Sequence, residues 1–75
     1  MYTVTLLSRT PGFVANRLMR LLGDHKVGLA ATNDLVTRFA EGHPTALVFR
    51  EIEPAERFAS EAKDLGVIIA FSYAA

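Results

Sequence analysis

The chain has 75 residues, eight Lys plus Arg against eight Asp plus Glu, a formal net charge of zero and no cysteine. Absence of cysteine excludes disulfide frameworks, thiolate nucleophiles and thiolate metal sites, and charge neutrality removes any global pull toward nucleic acid or an anionic membrane. A 51% apolar composition excludes a disordered chain. The length accommodates one domain, residues 1–75, with a core built from one sheet backed by helices.

Residues 2–7 alternate Tyr2, Val4 and Leu6 with Thr3, Thr5 and Leu7, β-formers at almost every place, and read as a strand. Residues 8–12 interrupt it: Pro11-Gly12 is a turn signal, and Thr10 is placed to cap a helix. A helix follows over 13–22, with Val14, Leu18, Leu21 and Leu22 as its buried stripe, and Gly23-Asp24-His25-Lys26 closes it. The second helix, 29–40, carries Leu29, Thr32, Leu35, Val36, Phe39 and Ala40 on one side. Gly42 suits the left-handed cap after it, and Pro44 stops continuation.

Residues 45–49 read as the second strand, and Ile52-Glu53-Pro54 opens the third helix, where proline at the first turn lacks no needed amide. Its buried face is Ala55, Phe58, Ala59, Ala62 and Leu65; Gly66 ends it, and residues 67–73 form the third strand. The order β-α-α-β-α-β predicts an α+β fold: a three-stranded mixed sheet covered on one face by three helices. The link through the third helix has the length of a right-handed crossover between parallel strands, with strand one antiparallel between them. One sheet face then lacks a helical cover, with Leu7, Phe49, Phe71 and Tyr73 there or at the sheet ends. A homodimer or another partner would bury it.

No catalytic residue, cofactor site or metal site emerges. His25 and His43 read as surface loop histidines without the close partners a metal requires. Glu51 and Glu53 read as solvated acids before a helix, without the nucleophile or pocket that acid–base chemistry needs. The five glycines stand singly at element boundaries and form no phosphate loop. Arg9, Arg17, Arg20 and Lys26 make the amino-terminal half locally basic, and Arg17 and Arg20 share a helix face. That patch suits a protein partner better than RNA, which would call for interleaved aromatics and further basic residues. The bland alternative pairs these arginines with Glu56 or Glu61.

A set of segments resembles the Clp protease adaptor family over nearly the whole chain: Tyr2-Thr3-Val4-Thr5-Leu6-Leu7, Thr10-Pro11-Gly12-Phe13-Val14, Leu18-Met19-Arg20, Glu41-Gly42, Arg50-Glu51-Ile52, Ala62 and Gly66. More locally, Gly28 to Val36 is similar to the carboxy-terminal domain of the bacterial ribosomal stalk protein. The stalk domain would carry lysines in that stretch, where this chain has Ala30, Ala31 and Asn33. The adaptor resemblance implies a protein-binding scaffold whose family members hold a free amino terminus through a carboxylate-bearing loop after strand one and a helical histidine. Here those places read Ser8-Arg9 and Phe39, so the implied ligand differs.

The resulting expectation is a non-enzymatic, cytoplasmic protein-binding or adaptor module, with a stalk-like component near the translation machinery as the alternative. It would bind a protein or peptide, neither nucleic acid nor membrane, through Ser8, Arg9, Thr10, Phe13, Arg17, Arg20 and Phe39. No signal peptide or spanning segment is expected.

Overall fold

The computed structural model describes residues 1–73, arranged as strand β1 (Tyr2–Arg9), helix α1 (Ala15–Asp24), helix α2 (Leu29–Ala40), strand β2 (Thr45–Phe49), helix α3 (Ile52–Asp64) and strand β3 (Val67–Tyr73). The sheet order is β2-β1-β3, and β1 pairs antiparallel with both neighbours. The expectation of a mixed sheet is therefore corrected. β2 and β3 do run in the same direction, but β1 separates them, so every bonded ladder is antiparallel.

Alternation along the strands divides the sheet into two unlike faces. Val4 and Leu6 are fully buried beneath the helices, with Leu47, Phe49 and Ile69 packed around them. Their neighbours on the other face stay bare: Val48 is 60% and Ile68 50% exposed. Leu7 is the extra residue of a bulge between Leu6 and Ser8 in the β1–β3 ladder. It remains on the uncovered side, as the sequence allows. Phe49 instead packs on the core side, and Phe71 and Tyr73 form a tilted aromatic cluster with Tyr2 at the end of the sheet.

Each helix contributes most of the stripe that its spacing dictates, although Ala40 at the end of α2 is exposed. Leu18, Leu21 and Leu22 come from α1, Thr32, Val36 and Phe39 from α2, and Ala55, Phe58, Ala59 and Ala62 from α3. Phe58 is the largest fully buried side chain, and the small alanines of α3 let that helix lie close on the sheet. Leu29 and Val14, assigned by periodicity to the buried stripes, are 75% and 46% exposed because each sits at a helix start, off the packed stripe.

The helix ends explain two further departures. Helix α1 begins at Ala15 and runs through Gly23, so this glycine ends nothing. Its closure falls to Lys26 at φ 63°, with Lys26 N–H donating to the Gly23 carbonyl and Val27 N–H to that of Leu22. This is a Schellman arrangement with lysine in the left-handed position usually taken by glycine. Gly42 (φ 93°) does close α2, as expected, with Gly42 N–H donating to Phe39 O and His43 N–H to Arg38 O.

Candidate functional site

The basic pair that the sequence places on one face of the first helix also lines a groove. Arg17 and Arg20 stand exposed on α1, and between α1 and α3 they border a cleft of about 340 Å³ completed by Leu21, Asp24, Glu61 and Leu65. The floor is leucine and the arginines stand at its rim. The α-helical spacing of three residues brings both guanidinium stems to the same side.

The bland alternative for these arginines fails in a specific way. Glu61 does reach the groove, but its Oε1 lies 3.2 Å from Nε2 of His25. Among the described residues the remaining ion pair is Arg38 with Asp34, 3.3 Å apart on α2. Neither Arg17 nor Arg20 holds a carboxylate of the described residues. With no partner among the described residues, each offers its five N–H donors to water or to a ligand.

His25 departs from the expected surface loop histidine. Its side chain is 11% exposed and stands edge-on to Phe58, with centroids 5.2 Å apart, and to Phe49 at 6.1 Å. It fastens the α1–α2 turn to α3, a structural position that the charged neighbours Asp24 and Lys26 conceal in the sequence.

The loop after β1 is shorter than anticipated, because Ser8 and Arg9 belong to the strand opposite Ile68 and Val67. Successive strand residues diverge to opposite faces, so these two do not form one recognition element. Thr10 does not cap α1. Its hydroxyl donates to the Gly66 carbonyl at 2.8 Å, and its amide donates to the same oxygen at 2.8 Å. Phe13 N–H donates back to Thr10 O at 3.0 Å, closing a turn over Pro11-Gly12. Phe13 then packs edge-on to Phe39 with centroids 5.4 Å apart.

Phe39 itself is 2% exposed and belongs to the core, so its assignment to a recognition surface is corrected. Of the anticipated binding residues, Arg17 and Arg20 come together. Thr10 and Phe13 form the latch that joins Gly66, next to the groove residue Leu65, to the start of α1. Ser8, Arg9 and Phe39 lie elsewhere. Leu21, Asp24, Glu61 and Leu65 complete the groove, and sequence reasoning does not assign them to it. Its one pointer to a meeting of α1 and α3 here is Glu61 as a possible arginine partner.

Among the described residues, no cluster of three His, Cys, Asp or Glu could hold a metal ion. No helix among them is long and apolar enough to cross a membrane. Comparison with family models, curated proteins and solved structures finds no match to this chain. The resemblance to adaptor and stalk domains thus rests on the quoted residues alone.

Proposed function

We propose that the chain is a non-enzymatic protein-binding module that holds an acidic, partly apolar segment of another protein in the α1–α3 groove. The observation that carries this reading is the pair of unengaged arginines, Arg17 and Arg20, over a floor of Leu21 and Leu65. A carboxylate-bearing segment supplies bidentate partners for the guanidinium groups, and its apolar residues cover the leucines. Arginine is the suited residue for such a rim, since its planar fork is less strongly hydrated than an ammonium group.

This surface replaces the amino-terminus pocket of the adaptor family, whose carboxylate loop and histidine have no counterpart here. The test is capture from lysate with the chain and with the double variant R17E/R20E, read by mass spectrometry. A specific partner retained by the parent chain and lost by the variant, at unchanged circular dichroism, supports the reading. A partner bound equally by both chains, or no specific partner, overturns it.

A further inference from the structure

The third strand poses a problem that the groove does not solve. β3 is an edge strand of seven residues, Val67-Ile68-Ile69-Ala70-Phe71-Ser72-Tyr73, with no charge, proline or glycine. Edge strands are ordinarily blunted by such residues, because their outward N–H and C=O groups template pairing with another chain. The opposite edge is blunted: β2 has five residues, follows Pro44, and shares a groove with the paired Asp34 and Arg38. On β3 the side chains of Ile68, Phe71 and Tyr73 are 50%, 40% and 62% exposed. Left open, such a segment combines high β-propensity with no net charge, the signature of uncontrolled strand stacking.

Beside this edge runs a second groove of about 560 Å³, between α3 and β3, with Ala59, Ile69 and Phe71 as its apolar wall and Glu56, Ser60, Lys63 and, at the end of the helix, Asp64 along its helical rim. Glu56 and Lys63 are both exposed and seven residues apart, hence two turns or roughly 10.5 Å along one side of α3. Their signs are opposite. A helix with that pattern is complementary to a second copy of itself running antiparallel, because a two-fold axis near Ala59 and Ser60 brings each Glu56 to the other copy's Lys63.

The same axis fits the strand. Antiparallel pairing of two β3 strands over their full length places Ala70 opposite Ala70, the smallest side chain at the symmetric position. It sets Ile69 against Phe71 and Val67 against Tyr73 on the helix side, and Ile68 against Ser72 on the bare side. Ala70 lies between Ile69 and Phe71, the two strand residues in the groove wall, so one axis serves both layers. An isologous contact requires this self-complementarity in shape and in charge.

We infer that two copies of this chain join through β3 and α3 into a continuous six-stranded sheet, with two Glu56–Lys63 pairs flanking the two-fold axis. The occupant of the edge is thus a second copy, not a foreign peptide. This surface is separate from the Arg17–Arg20 groove, and neither reading depends on the other.

Sedimentation equilibrium of the full chain tests it. The parent chain is expected at twice its 8.2 kDa mass. Ala70→Lys, an exposed edge position, is expected to give monomer with an intact circular dichroism spectrum. Glu56→Lys and Lys63→Glu should each weaken association about tenfold or more, since each replaces two attractions by two repulsions. Mixing those two variants should yield heterodimers, and the double swap E56K/K63E should restore the homodimer. Val48→Lys, on the bare face of β2, should leave the dimer intact. A monomeric parent chain overturns the inference. So does a dimer broken by Val48→Lys, or one indifferent to both single charge changes and their mixture.

Discussion

Gly66 is the position where one added methyl group should do the most harm for its size. Its φ of +89° lies in the region that side-chain-bearing residues rarely occupy, and a Cβ there would come within 2.6 Å of Thr10 Oγ1 and 3.4 Å of Phe13 N. Alanine costs about 1–2 kcal/mol for the backbone alone. The clash also expels the Thr10 hydroxyl from its 2.8 Å bond to the Gly66 carbonyl, about 1 kcal/mol more. The sum, ~2–3 kcal/mol, corresponds to a fall of roughly 10–20 °C in melting temperature for a domain of this size. Gly42 supplies the control: its φ is +93° with nothing within 4 Å of an added methyl, so Gly42→Ala should show the backbone cost only. Urea titration followed by circular dichroism measures both, and a cycle with Thr10→Ala isolates the clash. Thr10→Ala alone should cost about 1 kcal/mol. The double variant should cost ~1 kcal/mol less than the sum of the two single changes, because the hydrogen bond is lost once and the clash is gone. Strict additivity, or a Gly66→Ala variant no worse than Gly42→Ala, refutes the latch as described.

Phe58→Ala should destabilise the chain by about 3–5 kcal/mol, as it empties the centre of the core; a urea midpoint close to that of the parent would contradict this. His25→Ala removes the edge-on contacts with Phe58 and Phe49 as well as the bond to Glu61, and should cost ~2–3 kcal/mol. Glu61→Gln keeps an acceptor and should cost under about 1 kcal/mol by the same titration. Lys26→Gly should stabilise by about 0.5–1 kcal/mol, since relief of the left-handed strain at φ 63° exceeds the entropy glycine adds to the unfolded chain.

The order of elements is legible in the sequence because it depends on periodicity, and periodicity is local. Residues 67–73 and 29–40 fall where the pattern places them, and the stripe of α3 from Ala55 to Ala62 is buried as its spacing predicts. What the sequence hides depends on contacts distant along the chain. Thr10 has the residue type of a cap, yet a carbonyl 56 positions away takes its proton. His25 sits among charged turn residues, yet Phe49 and Phe58 enclose it from the other half of the chain. Resemblance to a family position puts Phe39 on a surface, while its own helical spacing with Thr32 and Val36 already places it inside. For the groove, one wall is readable from the i, i+3 arginines; the other wall needs the packing of α1 on α3.

The two surfaces occupy opposite sides of one helix, and this has a measurable consequence. Glu61 and Leu65, on and just after α3, border the arginine groove, whereas Glu56, Ser60, Lys63 and Asp64 border the β3 edge. Among the described residues none lines both, so pairing of two chains leaves both arginine grooves open. A dimer then presents two equal sites on one rigid sheet, and a second contact to an immobilised partner becomes intramolecular. Effective concentrations in the millimolar range raise apparent affinity about a hundredfold or more without any new contact. The monomeric Ala70→Lys chain should therefore match the parent in solution, site for site, against the partner captured through the arginines. On a densely coated sensor surface it should dissociate ~100-fold faster. Equal dissociation of dimer and monomer from that surface would mean that the two grooves cannot be engaged together, and that pairing through β3 serves only to cover the edge.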